Sequence, residues 1–347
     1  MQLLDIPPLT VPFETRLNPY MRESWEGCLA WAERIGLIAS EKARSRIAKA
    51  CYDQLAGYAY PYADREGLEC AMCFSLWLFL LDDQLDECTL GRQSDIGHGM
   101  LDHLLILVKH GVLADGTASR IEHAWVDLAG RIREHCDAHQ WQRFVDHMVG
   151  YLNSLKWEIR NRSAQRVPDP LLFSEMRRQT GGVLPSFDFI EFANAIALDD
   201  DVLRDQHFKV MYDCAVDIVC IVNDIISYQK EAARGEVNNF VVVYANALGL
   251  STAEATAFLA NLLRLRIDTF VDAKAVMEVT LDRLTNAKGR NSAWVYISGL
   301  EHWMRANLEY SKISGRYHDI EIAQRDRPMS WIENLTLVPQ TSLLPPQ

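Results

Sequence analysis

Residues 68–81 (LECAMCFSLWLFLL) are apolar on nearly every face and run straight into Asp82, Asp83, Gln84, Leu85, Asp86 and Glu87. An apolar run of this length at helical spacing predicts a helix covered on most sides by other helices. The longest unbroken apolar run, around 72–81, is too short to cross a bilayer. The abrupt change puts Asp82 and Asp86 one turn apart on one face, and Asp83 and Glu87 on the next. Traced backwards, the first face becomes Leu78 and Phe74, and the second Phe79 and Ser75. Carboxylates stacked at the C-terminal end of a helix repel one another and meet the negative end of its dipole. Something must offset them. A hard divalent cation is the natural candidate, against the plainer reading of a solvated acidic helix end.

The rest of the chain repeats the helical theme. Apolar residues recur at helical spacing over residues 20–38, 42–55, 119–139, 141–161, 205–233, 252–274 and 292–314. Residues 239–244 (NFVVVY) have β-propensity but sit between helical stretches. Breaks are expected where Gly, Pro and Asp cluster, at 61–64, 91–99, 167–170, 197–201 and 235–239. No linker or repeat divides the 347 residues, so the expectation is one all-α domain spanning 1–347, a helical bundle with a core of about 11–318. The Pro-rich start and the last thirty or so residues read as loosely held ends.

A second polar stripe lies in residues 213–231. Asn223, Ser227 and Glu231 are spaced i, i+4, i+8 and form a single line along a helix. An amide oxygen, a hydroxyl and a carboxylate are hard donors with one formal charge between them, which suits Mg²⁺ with room left for phosphate oxygens. Backwards along the stripe come the apolar Val219 and Ala215. Two helices thus share one plan, with oxygen donors at one end of a face and small or apolar residues beneath. Facing each other, they would make a greasy pocket with a metal-lined mouth, suited to an anionic head on a hydrocarbon tail. A polar face on an ordinary helix is the alternative for the second stripe taken alone.

Together these features resemble the class I terpene synthases. Asp82, Asp83 and Asp86 (DDQLD) match that family's aspartate-rich motif; Asn223, Ser227 and Glu231 (NDIISYQKE) match its second metal motif, with Lys230 at a diphosphate-contacting position. The family's diphosphate-sensing arginine stands 46 residues before the asparagine, and 223 − 46 = 177 is Arg177, followed by a linker position at Thr180 and an effector position at Gly181. Arg316 and Tyr317 match its C-terminal Arg-Tyr pair. The resemblance covers roughly 11–318 and implies a helical bundle around a central apolar cavity. It also implies three Mg²⁺ ions (Mn²⁺ as an alternative), a prenyl diphosphate substrate and, as one option, a homodimer. Independently of it, residues 176–185 (MRRQTGGVLP) put two arginines before Gly-Gly and Pro, where a helix should break. Arginine's fork suits phosphate oxygens, and Arg178 is the neighbour whose outer-face pairing is the alternative to such a role.

The expected reaction is metal-assisted loss of diphosphate to an allylic cation, aided by Arg177, Lys230, Arg316 and Tyr317. Aromatic faces would then steer the cation, Phe79 first, with Trp303 and Tyr310 further along; relatives often carry Trp where this chain has Tyr310. Core packing is the plainer reading of each ring. Farnesyl diphosphate is the default substrate and a cyclic sesquiterpene or terpene alcohol the default product. Geranyl or geranylgeranyl diphosphate and a linear alcohol are the alternatives. A chain-elongating prenyltransferase would want a second Asp-rich motif, and a non-catalytic lipid-binding helical protein would not need both stripes.

A net charge of −12 argues against nucleic acid and requires local cations to hold a phosphate. The eight cysteines mostly sit in apolar runs without a signal peptide and read as reduced thiols in a cytoplasmic protein, with no membrane insertion. Cys70 and Cys73 read as core, Asp199–Asp201 as a loop or cap, and the i, i+4 pair His135 and His139 as a solvated face.

Overall fold

The computed structural model of the chain describes residues 6–87, 94–113, 118–284, 287–318 and 334–336. Among them it forms helices and no strand. In order these are α1 (Met21–Arg34), α2 (Glu41–Ala50), α3 (Tyr52–Ala59), α4 (Arg65–Glu87), α5 (Ser94–His110), α6 (Arg120–Arg133), α7 (Ala138–Ala164) and α8 (Pro170–Thr180). They continue with α9 (Val183–Phe192), α10 (Asp200–Arg204), α11 (Gln206–Ala233), α12 (Phe240–Leu248), α13 (Thr252–Leu284), α14 (Ala287–Ile313) and α15 (Gly315–His318).

The apolar run of α4 is sheathed by α1, α3, α6 and α9. Phe74, Leu76, Trp77 and Leu81 are fully buried, and Trp77 donates its indole N–H to the Ile121 carbonyl at 2.9 Å. Leu78 and Phe79 are only partly buried because they face a cavity. On the other side α11 packs on α13, α14, α12 and α8, and α14 packs on α3 and α9. Cys70 and Cys73 are buried core residues, and none of the seven described cysteines is in a disulfide. Cys88 lies outside the described residues.

Several expectations change. The predicted helix over 42–55 is two, because Cys51 takes a left-handed φ of 55° and turns the chain between α2 and α3. The break expected at 91–99 gives way to helix from Ser94 onward. The β-prone residues 239–244 enter α12, whose first turn is capped by Asn239 accepting from the Val241 N–H at 2.8 Å. Burial of Phe240, Val241 and Val243 on one side then overrides their strand propensity. Two described residues near the ends pack onto the bundle. Val11 is fully buried and Arg305 donates to its carbonyl at 2.7 Å, while Leu335 is buried, with its N–H donating to Gln84 at 3.1 Å. The remaining C-terminal residues lie outside the described ones. Asp199 stands at the N-cap position of α10 without a side-chain capping hydrogen bond, and Asp200 and Asp201 lie in its first turn.

The approach of α14 to α9 depends on Gly299, where a Cβ would stand 2.4 Å from Ile190 Cγ2. A β-branched side chain cannot swing its γ-methyl away, so Gly299→Ala should cost about 1–3 kcal/mol by overpacking. Chemical denaturation checks this, and pairing the change with Ile190→Ala should recover part of the loss.

Candidate active site

An open-mouthed cavity, about 1090 Å³ when the solvent-open space at its mouth is counted, lies between α4, α7, α11, α14 and the break between α8 and α9. Its lower walls include Leu78, Phe79, Val183, Val219, Trp303 and Tyr310; its mouth brings together Asp82, Arg177, Asn223, Lys230, Arg316 and Tyr317, with Glu231 beside them. Residues from four separated parts of the sequence therefore meet at one opening.

The break between α8 and α9 has a local cause. Gly182 takes φ +65°, a left-handed conformation that glycine adopts freely. A Cβ at Gly181 would meet Cys220 Sγ at 2.8 Å, so the break is pressed tightly against α11. Arg177, one turn before the break, is clamped by α11. Its Nε and Nη2 donate to Asp224 Oδ1 at 3.0 and 2.7 Å, Nη2 also donates to Asn223 Oδ1 at 3.0 Å, and Nη1 reaches the Thr180 hydroxyl at 3.5 Å. Burial opposes the charge, but Asp224 outweighs it and holds the guanidinium well above its ordinary pKa. Arg178 points elsewhere: its fork takes both oxygens of Asp217 at 2.7 and 3.0 Å. That is the outer-face pairing the sequence leaves open.

The second stripe faces this clamp. The Asn223 amide donates to the Tyr317 hydroxyl at 2.9 Å and so joins α11 to α15. Ser227 Oγ is buried and has no hydrogen-bond partner among the described residues, and Glu231 Oε2 accepts from Asn239 at 2.9 Å. On the opposite wall the two aspartates separate. Asp82 is 35% exposed and lines the cavity, whereas Asp83 is 2% exposed and lies between two arginines. Arg316 bridges Asp82 and Asp83, and Arg46 donates to the second Asp83 oxygen at 2.9 Å. Guanidinium groups thus supply part of the offset that stacked carboxylates require. The side chain of Asp86 lies outside the described residues.

Among the described residues no three His, Cys, Asp or Glu side chains converge as a metal cluster. The donor set is of another kind. An amide, a buried hydroxyl without a protein partner and a carboxylate stand at successive turns of α11, with Asp82 across the mouth. Hard neutral oxygens with few charges fit a divalent ion that keeps positions for phosphate oxygens.

Phe79 lines the cavity but also supports the mouth: Tyr52 stacks on it at 4.5 Å, and the Arg316 guanidinium lies 5.2 Å from its centroid. Tyr310 is 1% exposed, packs beside Phe79 and Tyr317 at 6.1 and 6.0 Å, and its hydroxyl has no partner among the described residues. Arg46, Tyr52, Glu158, Arg162 and Glu236 belong to the site or its support and are not apparent from the motifs. Glu158 and Arg162 are an i, i+4 pair on α7, a signal too common to single out; Arg46 and Tyr52 carry no local signal at all.

Glu158 lines the cavity near Arg177 and Thr180. Burial pushes its carboxyl up to about 8, against the pull of Arg177 and Arg162. The folded chain therefore keeps this proton between the ordinary value of 4.5 and about 8, so the group's stabilisation is complete below that interval and is lost as pH rises through it. Glu158→Gln should flatten the dependence of the thermal midpoint on pH across that interval in metal-free protein. An unchanged slope would show that another group sets it.

A family model described as terpene synthase family 2, C-terminal metal binding, matches residues 73–269. The chain is 31% identical to pristinol synthase of Streptomyces pristinaespiralis, over 94% of this chain and 90% of that one. It is 29% identical to a (+)-T-muurolol synthase of Roseiflexus castenholzii that cyclises (2E,6E)-farnesyl diphosphate, covering 89% and 93% of the two chains. Among solved structures, germacradien-4-ol synthase from Streptomyces citricolor superposes with a TM-score of 0.77 at 25% identity, over 89% of this chain and 99% of that one. An α-eudesmol synthase shares the fold, with a TM-score of 0.80 at 20% identity over 89% of this chain and 100% of the other.

Proposed function

Because the chain belongs to the class I terpene synthases, lyases that act on prenyl diphosphates, we propose that it converts farnesyl diphosphate to a cyclic sesquiterpene or sesquiterpene alcohol with release of diphosphate. The observation that carries this reading is that one cavity gathers Asp82, Arg177, Asn223, Lys230, Arg316 and Tyr317 with an apolar patch of Leu78, Phe79, Val183, Val219 and Trp303. Farnesyl chain length is favoured by relatives described as cyclising that substrate.

In this reading Asp82 on one wall and Asn223, Ser227 and Glu231 on the other hold Mg²⁺, with Asp86 and Asp83 as the remaining members of the aspartate motif. Bound metal supplies positive charge to the departing diphosphate oxygens. Arg177, Lys230 and Arg316 add fixed cations, which an acidic protein must concentrate locally to hold an anion. Tyr317 accepts from Asn223, and burial pushes its phenol up to about 12, so its O–H stays protonated and can donate to a phosphate oxygen. Thr180 and Gly181 link Arg177 to the helix break and line the cavity with Gly182. Phe79 and Tyr310 then present π-surface to the allylic cation, each ring worth on the order of 1–2 kcal/mol when desolvated.

The test is product analysis by gas chromatography–mass spectrometry with geranyl, farnesyl and geranylgeranyl diphosphate, each with Mg²⁺, with Mn²⁺ and with EDTA, and with isopentenyl diphosphate as co-substrate. Sesquiterpenes from farnesyl diphosphate, abolished by EDTA, are expected. A longer prenyl diphosphate would mean chain elongation, and undiminished turnover in EDTA would rule out the metal-assisted step.

A further inference from the structure

The corner between α2 and α3 lies outside the residues matched by the family model, yet it meets the mouth at three points. Arg46 of α2 donates to Asp83 Oδ2 at 2.9 Å. The Ala50 carbonyl at the end of α2 accepts from Ser314 Oγ at 2.8 Å, which seats the start of α15. Tyr52, the first residue of α3, accepts from Arg316 Nη1 at 3.4 Å and stacks on Phe79.

These contacts form a charge quartet, Asp82 and Asp83 against Arg46 and Arg316. The members are not equivalent. Asp83 is 2% exposed and Arg316 6%, so each needs a counter-charge at all times, whereas Asp82 is open to the cavity. If Arg316 were the sole partner of Asp83, its charge would be spent there. With Arg46 holding the other oxygen, the quartet is neutral and the Nη2 end of Arg316 can leave Asp82 for an incoming anion without stranding Asp83.

We propose that Arg46 is a positioning residue for substrate binding: by balancing Asp83 it frees Arg316 to engage the diphosphate. This rests on the reading of the mouth given above. Removing the Arg46 charge should leave the mouth one unit more negative, which repels diphosphate and, if anything, attracts Mg²⁺. A merely structural loss would weaken both together.

The experiment is calorimetric titration of the full-length protein with Mg²⁺ alone and with inorganic diphosphate in excess Mg²⁺, alongside steady-state turnover of farnesyl diphosphate. Arg46→Met should weaken diphosphate binding by about tenfold or more and raise KM similarly, with Mg²⁺ binding equal or tighter. Arg46→Lys should stay within about threefold of wild type. Should Arg46→Met fail to fold, Arg46→Gln, which keeps a hydrogen-bond donor for Asp83 without the charge, tests the same balance and should likewise weaken diphosphate binding by about tenfold. The proposal is overturned by unchanged diphosphate affinity in Arg46→Met or Arg46→Gln, or by parallel weakening of metal and diphosphate. Wild-type protein that binds inorganic diphosphate with this Arg46 dependence but turns over no prenyl diphosphate would remove the proposed function and keep the Arg46 assignment. Wild-type protein that binds no diphosphate would remove both.

Discussion

Asp82→Ala should lower kcat/KM for farnesyl diphosphate by about a thousandfold or more while leaving the thermal midpoint nearly unchanged. The reason lies in what each aspartate is paired with. Asp82 is partly exposed at the cavity mouth, and its loss leaves the buried Arg316 still bound to Asp83 and Tyr52. On the proposed reading it also removes the metal-holding carboxylate of the α4 wall. Asp83→Ala should behave differently. It deprives Arg46 and Arg316 of their shared counter-ion in a nearly closed site, a change of the kind that costs about 3–5 kcal/mol. Thermal unfolding and steady-state kinetics on the two variants separate the roles. If Asp82→Ala unfolds the protein and Asp83→Ala does not, the two aspartates have been assigned the wrong way round.

That separation marks the boundary of what was legible beforehand. Helical periodicity puts Asp82 and Asp83 on adjacent faces, but it does not say which face meets the cavity and which meets an arginine. Arg46 lies 37 residues away from Asp83 and Arg316 lies 233 away, so only the packing of α2 and α15 beside α4 reveals their common partner. The second stripe was easier to read, since Asn223, Ser227 and Glu231 lie within one helix and their spacing alone aligns them. The Gly-Gly break was legible for the same local reason. By contrast, Glu158 and Tyr52 reach the site region through tertiary contacts, and residues 239–244 became helix because burial outweighed propensity. Motifs confined to one helix could be read directly; pairings between helices could not.

The same distinction governs the adjacent arginines 177 and 178, which sequence separates only by counting. Arg177→Lys should reduce kcat by about a hundredfold to a thousandfold with little loss of stability. Lysine keeps a positive charge near Asp224, a carboxylate only 1% exposed, so the fold does not acquire an uncompensated buried anion. A single ammonium cannot, however, reproduce the fork that reaches Asp224, Asn223 and Thr180 from three nitrogens. Those contacts tie the arginine to a proposed metal-holding residue on one side and to the helix break on the other, so misaiming it should disturb both. Arg178→Lys makes the matched control. Its fork binds Asp217 on the outer face, where Arg266 also donates at 2.7 Å and can continue to neutralise that carboxylate. Turnover within about threefold of wild type is expected there, with a stability change of about 1 kcal/mol at most. Equal losses of kcat at the two positions would mean that the effect comes from the helix they share and not from the charge aimed at the mouth.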